Sequence, residues 1–323
     1  MSTFSRLSEV YKKSMEIPFD NSSKFVFLSD CHRGDGSLAD DFNRNGNTFY
    51  SALKYYYANE FAYFDLGDSD ELWKNKKFSI ISTTHSDTFR LIREFYNAGR
   101  FYMIYENHDI IKRNPLYIKK NFAQIYDPHI DKNEPLFEDI KAYEGLIIKH
   151  KETGVKLFLV HGHQGDLVAD VFWKVGSFLT RNIWRRFETF GLRDPTSAAI
   201  NYAVLKKVER IFIDWIEKNK QPVICGHTHR PSCPKEDDPP YFNDVSCIYN
   251  NSITCLEIVN SEITLVKWDI KTDPDRAFYV DREAIALPRR IKTIKWFLYC
   301  RIIVSVYYAD SLFALSEKAK QLI

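Results

Sequence analysis

The chain has 323 residues, enough for roughly two domains or one large α/β domain carrying an insertion. Hydrophobic residues make up 45% and charged residues 27%, which excludes a disordered chain, a collagen-like chain and a disulfide scaffold. Lys+Arg number 45 against Asp+Glu 43, and a formal charge of +2 argues against whole-protein attraction to nucleic acid.

The N-terminal stretch MSTFSRLSEVYKKSMEIPFD has no apolar h-region, so no signal peptide is expected. No run of about 18 uncharged apolar residues occurs, so no spanning helix is expected either. From there short apolar runs recur, each closed by polar residues. Phe25–Leu28 runs into Ser29-Asp30-Cys31-His32, and Phe61–Leu66 into Gly67-Asp68. Phe101–Tyr105 runs into Glu106-Asn107-His108-Asp109, Leu157–Val160 into His161-Gly162-His163, and Pro222–Cys225 into Gly226-His227-Thr228-His229. Such runs read as buried strands. Ligands of open α/β sheets bind beyond the carboxyl ends of strands, where these polar residues fall.

Between the strands, Phe89, Ile92, Phe95 and Tyr96 recur at helical spacing over Ser86–Ala98, with Gly99 as the stop. Residues 166–220 read as two or three helices broken near Pro195. Pro234–Pro240 reads as a loop, and Ile253–Val259 and Ile263–Ile270 as strands about an Asn260-Ser261 turn. Residues 288–320 read as one or two terminal helices. Cys31, Cys225, Cys233, Cys247, Cys255 and Cys300 show no C-x-x-C spacing, which suits a reducing compartment, with the cytoplasm as the expected location. Aromatic residues, 15% of the chain, could fill a core or line an apolar groove.

The strand ends supply Asp30, His32, Asp68, Asn107, His161, His227 and His229. Carboxylate oxygen, amide oxygen and imidazole nitrogen are ligand types for two divalent cations that share one ligand. On an extended end, Asp30-x-His32 and His227-x-His229 would each place two side chains on one side. The negative charge of Asp68 suits a position between two cations. His85, His129 and His150 lie in polar connections and read as structural or exposed. Cys31 and Cys225 read as small buried hydrophobes, and Trp73 as a packing residue beside the site.

In order, D30-C-H32, G67-D68-S-D-E71, E106-N107-H108-D109, H161 and G226-H227-T-H229 resemble the motif series of the calcineurin-like metallophosphoesterases, over about residues 24–231. The resemblance implies an α/β fold, a two-sheet metallophosphoesterase sandwich (α-β-β-α), with a helical insertion and C-terminal helices. The expected division is 1–284 for that domain, a lid-like insertion at about 166–220, and a helical extension at 285–323. The resemblance implies Asp30, His32 and His229 on a first metal, Asn107, His161 and His227 on a second, and Asp68 bridging. It implies a metal-bridging hydroxide attacking phosphorus, with His108 at a phosphate oxygen or the leaving group and Glu71 orienting His108. Mn²⁺ is the expected metal, with Fe, Zn or Mg also compatible.

Two features depart from a simple reading. Glu106 stands where the family has Gly, which calls for a relaxed turn or gives a carboxylate bond behind the ligands. His163 competes with His161, which is favoured because it directly follows a strand; His163 is then a substrate-side or supporting residue. Arg33 and Arg230 each follow a ligand motif and could contact phosphate or form ion pairs.

Within the family, G67-D68-S-D-E71-L-W73 and G226-H227-T-H229-R230-P231 resemble motifs of UDP-2,3-diacylglucosamine pyrophosphatases, whose third motif is G-N-R-D rather than the E-N-H-D found here. This points to a small-molecule or lipid-linked phosphate substrate. Between residues 171 and 193, Lys174, Arg181, Arg185, Arg186 and Arg193 interleave with Phe172, Trp173, Trp184 and Phe187. That pattern suits either a core-packed helix pair or peripheral contact with an anionic membrane; nucleic acid is disfavoured because no basic groove continues elsewhere. The competing reading of the whole chain is a non-catalytic metal-binding scaffold or a peripheral membrane module with the same fold.

Overall fold

In the computed structural model of the chain, residues 3–165, 180, 202–244, 246–249 and 252–294 are described. The architecture follows from alternation along its strands. In β2 (Phe25–Leu28), Phe25 and Phe27 face one apolar cluster while Val26 and Leu28 face another. In β9 (Lys156–Val160), Leu157 and Leu159 join the cluster of Phe25 and Phe27, while Phe158 and Val160 face a third. Strands buried on both faces have to be covered on both, so two sheets stack face to face with helices outside.

The larger sheet runs β14 (Phe278–Ala284), β13 (Glu262–Thr272), β12 (Ser252–Val259), β2, β3 (Ala62–Asp65), β4 (Phe101–Ile104) and β7 (Ala142–Tyr143), with β15 (Arg289–Arg290) also pairing with β13. β2, β3, β4 and β7 are mutually parallel. The smaller sheet runs β1 (Met15–Phe19), β8 (Gly145–His150), β9, β10 (Val223–Cys225) and β11 (Tyr241–Asn243), with β9, β10 and β11 parallel. A separate hairpin joins β5 (Gln124–Asp127) to β6 (Lys132–Pro135).

Aromatic residues fill the layer between the sheets. Phe64 packs edge-on against Phe25 at 5.1 Å and stacks on Tyr102 at 4.6 Å. Phe49, Ala52, Leu53 and Tyr56 of α2 (Gly46–Ala58) cover the outside of the larger sheet, as do Phe89, Ile92 and Phe95 of α4 (Ser86–Asn97), which follows α3 (Phe78–Thr84). Gly99, at φ +68°, donates to the Tyr96 carbonyl and ends α4 where the sequence predicts. A short α5 (Pro115–Asn121) follows β4. On the smaller sheet, Leu7 and Val10 of α1 (Thr3–Lys13) pack with Val208, Phe212, Trp215 and Ile216 of α6 (Tyr202–Asn219). This last stretch of the expected insertion thus packs its apolar face on the smaller sheet.

Residues 171–193, apart from 180, and 295–323 lie outside the described residues. At 288–294, where a helix is predicted, Arg289–Arg290 pairs with β13 and Ile291–Thr293 makes one 3₁₀ turn. Arg289 is buried and donates to the carbonyls of Pro234, Glu236 and Asp238, which ties this segment to the loop over 234–240. The five described cysteines are free thiols. Among the described residues, no helix is long and apolar enough to cross a membrane.

Candidate metal centre

β2, β3 and β4 end side by side in the larger sheet, and β9 and β10 end side by side in the smaller one. Their following loops bond to each other. Asp30 N donates to Gly67 O at 3.0 Å and His32 N to Asp68 O at 2.8 Å, while across the sandwich Gly226 N donates to His161 O at 2.9 Å.

The segment Asp30-Cys31-His32 is not the extended strand end that the sequence suggests. Asp30, His32, Asp68, His227 and His229 all take left-handed backbone conformations, with φ between 49° and 68°. Non-glycine residues rarely occupy this region, and such residues cluster at functional sites. Pairing of the loops fixes alternate residues in this form, so Asp30 and His32 still converge while Cys31 enters the core beneath α2 and α4. Cys225 is likewise core, packed beneath α1 and α6.

Among the described residues three groups of ligand atoms lie within 4.8 Å of one another: Asp30, His32 and His229; Asp68, Glu106, His161 and His227; and, at the rim, His32, Glu71 and His108, with the first two making up the centre. In the first, His229 Nε2 lies 3.1 Å and His32 Nε2 4.0 Å from Asp30 Oδ1. In the second, His161 Nε2 lies 3.5 Å from Asp68 Oδ2 and 3.3 Å from Glu106 Oε2. The groups are joined, since His32 Nε2 is 3.7 Å from Asp68 Oδ2 and His161 Nε2 is 3.9 Å from Asp30 Oδ1. Asp68 Oδ2 thus lies beside an imidazole of each group.

Tautomers and lone pairs decide what these contacts are. His161 Nδ1 donates to the Leu66 carbonyl at 3.0 Å, so in the neutral ring the lone pair is on Nε2, which faces the carboxylates. His161 Nε2, Asp30 Oδ1 and Asp68 Oδ1 are buried without any hydrogen bond. Buried polar atoms are ordinarily satisfied, and acceptors about 3 Å apart facing a common point are the arrangement of ligands around a cation. The donors fit divalent cations. In the metal-free protein protons take that place: burial would lower the His161 pKa, but Asp68 and Asp30 raise it to about 9. Burial would raise Asp68, but His108, His161 and His32 lower it to about 2.

Gly67 and Gly226 make room for this convergence. A Cβ on Gly67, at φ +107°, would come within 3.0 Å of Glu106 Cβ and His161 Nδ1. One on Gly226 would lie 2.6 Å from Asp30 Oδ2.

His108 stands at the rim. Its Nδ1 is 3.1 Å from both Glu71 oxygens, and its ring stacks on Trp73 at 4.2 Å. Burial would lower its pKa, but Glu71 and Asp68 raise it to about 9, so the ring is cationic at neutral pH. Glu71 also faces His32 Nδ1 at 3.4 Å.

Asn107 is buried beside the cluster, and in the orientation that satisfies both amide atoms its NH₂ donates to the Glu106 carboxylate. His163 is buried behind Glu106, 3.9 Å from Oε2, and burial together with His161 and His227 holds its pKa well below the usual imidazole value. Arg33 forms buried ion pairs with Asp70 and Asp65. It is buried, its Nε donates to Asp70 at 2.9 Å, and its guanidinium lies over Phe89. Lys112 completes that buried network at 2.7 Å from Asp70 and 2.6 Å from Asp109. Arg230 is exposed beside His229. His85, His129 and His150 belong to none of the ligand groups. Glu106 is the residue that sequence reasoning left outside the ligand set; its signal was an ionisable side chain in a place reserved for glycine.

Fold and site together define a two-sheet α/β sandwich with a buried imidazole and carboxylate centre able to hold metal ions. No family model matches the sequence. No curated protein matches it. Among solved structures, the chain is similar to Vps29 of Chaetomium thermophilum, at 10% identity and TM-score 0.40, over 82% of this chain and 96% of that one. It is also similar to a 5'-nucleotidase of Staphylococcus aureus solved with alpha-ketoglutarate, at 13% identity and TM-score 0.35, over 83% of this chain and 54% of that one.

Proposed function

We propose that this protein is a metal-dependent phosphoesterase of the calcineurin-like type, holding two divalent cations and hydrolysing a phosphate ester or diphosphate. The observation that carries the reading is the convergence of Asp30 Oδ1, Asp68 Oδ1 and His161 Nε2, buried between the two sheets without hydrogen-bond partners. Asp30, His32 and His229 would hold one cation, and His161, His227 and residues of the Glu106-Asn107 turn the other, with Asp68 shared. Bound cations at such a centre supply Lewis acidity to water and to a phosphoryl group.

The protein's own part is positioning and proton supply. Glu71 fixes His108 through Nδ1, and Trp73 holds the ring flat, which leaves Nε2 for a substrate. A cationic His108 would neutralise a phosphate oxygen and then pass its Nε2 proton to the departing alkoxide or phosphate, becoming neutral itself. Mn²⁺ suits the mixed oxygen and nitrogen donors, as do Fe, Zn and Mg. The runs Gly67–Trp73 and Gly226–Pro231 support a nucleotide-sugar or lipid-linked diphosphate as the substrate class.

The test strips the protein with a chelator and assays an aryl phosphate, a bis-aryl phosphate and a nucleotide diphosphate sugar with and without Mn²⁺. Turnover should return with Mn²⁺ and be absent in Asp68→Asn. Absence of any Mn²⁺-dependent turnover overturns the enzyme reading. Mn²⁺ binding without hydrolysis would leave the scaffold reading in its place.

A further inference from the structure

The second group of ligand atoms contains a carboxylate with no place in the motif series. Glu106 is fully buried, and its Oε2 lies 3.3 Å from His161 Nε2. Because His161 Nδ1 already donates to the Leu66 carbonyl, a neutral ring would set its Nε2 lone pair against that carboxylate, an arrangement that needs a proton or a cation between the two. Asp68 Oδ2 is a third acceptor, 3.5 Å from the same nitrogen. Three acceptors at these separations repel one another unless positive charge lies between them. Turned end for end, the Asn107 amide would donate its NH₂ to the Glu106 carboxylate, which would make Asn107 a donor to Glu106. Gly67 leaves the space for this arrangement, since any side chain there would meet Glu106 Cβ and His161 Nδ1.

We propose that Glu106 is a direct ligand of the second cation, completing a set of two carboxylates and two imidazoles with Asp68, His161 and His227, and that Asn107 orients it. The centre would then carry three carboxylates, Asp30, Asp68 and Glu106. The added negative charge strengthens binding of a divalent cation at the second position relative to an amide ligand. The inference rests on the metal-centre reading above but concerns which atoms hold the ion.

The test titrates chelator-stripped protein with Mn²⁺ by calorimetry and follows the Mn²⁺ spin-resonance spectrum. Wild type should bind two ions per chain and show the spectrum of a coupled pair. Glu106→Gln keeps the shape and removes the charge. It should bind the first ion unchanged and the second at least about tenfold to hundredfold more weakly, with the coupled signal replaced by that of isolated Mn²⁺. Retained first-site binding reports a folded variant; if Glu106→Gln fails to fold, Glu106→Gly decides by the same loss. Two ions and an unchanged coupled signal in the folded variant overturn the inference alone. A wild type that binds no Mn²⁺ overturns the metal-centre reading as well.

Discussion

At neutral pH the metal-free centre has a proton to lose before it can hold a cation. Asp68 and Asp30 raise His161 to about 9 against the effect of burial, so its Nε2 is protonated at pH 7. Asp68, held at about 2, is already ionised and adds no such cost. Displacing one proton two pH units below its pKa costs about 3 kcal/mol, at about 1.4 kcal/mol per unit. Mn²⁺ affinity should therefore rise about tenfold per pH unit, or about a hundredfold between about pH 6.5 and about pH 8.5. His32, whose pKa burial alone would lower but Asp68 and Glu71 raise, adds to the slope in the same direction.

The assay is calorimetric titration in two buffers of different protonation enthalpy, which counts released protons along with affinity. At least one proton should leave per chain loaded at neutral pH. An affinity that changes less than about threefold over that range, with no proton released, would refute the assignment of His161 as a ligand through Nε2. The same shift has a consequence for the metal-free fold. A histidine pKa raised from 6.5 contributes stability that is fully present below 6.5 and is lost as pH rises through about 9. Cation binding and metal-free stability thus run in opposite directions over one pH window.

Asp70→Ala should destabilise the protein by about 3–5 kcal/mol in urea unfolding, because Arg33 and Lys112 would be left buried beside a missing partner. A loss under about 1 kcal/mol would mean that Arg33 turns elsewhere, substrate included. Glu71→Gln removes the charge that keeps His108 at about 9; burial then takes its pKa down, and the alkaline limb of the pH–rate profile should move at least about one unit toward acid. An unmoved limb would remove His108 from the proton transfer. Gly226→Ala sets a methyl group 2.1 Å from Ser29 Oγ and 2.6 Å from Asp30 Oδ2, and should weaken the first Mn²⁺ at least about tenfold in the same titration.

The strands that frame the centre were legible because each is a short apolar run stopped by polar residues, and β2, β3, β4, β9 and β10 fall within two residues of the predicted runs. The hairpin of β12 and β13 was legible from Asn260-Ser261, both of which take left-handed φ. Other elements lacked such a signal. β1 carries Pro18, tolerable because the strand lies at a sheet edge, and β6 is the polar run Lys132–Pro135. Arg289 looked like the start of a basic helix, yet it is buried because three carbonyls of a distant loop receive its guanidinium. In the centre, residue types were readable but backbone was not. Nothing in an Asp or His announces a left-handed φ, which arises only when neighbouring loops pair. Glu106 was readable as an anomaly, but its direction depends on Asn107 and Gly67, residues that meet it only in the fold.

That dependence bears on what the cation does for the protein. Each non-glycine residue held left-handed costs about 1–2 kcal/mol, less for Asp than for His. His32, His227 and His229 all bear that cost. The loops that impose it are fixed by backbone hydrogen bonds between adjacent strand ends, and by the three apolar clusters beneath them. The centre is thus shaped by the sandwich and not by the ion, so the metal-free protein should keep its secondary structure and cooperative unfolding. Cation binding then adds stability by mass action, about 4 kcal/mol when free Mn²⁺ exceeds the dissociation constant a thousandfold. Circular dichroism and thermal unfolding with and without chelator separate the two cases. A raised midpoint over an unchanged far-ultraviolet spectrum is expected; loss of the spectrum on chelation would mean that the ion, and not loop pairing, holds these residues in place.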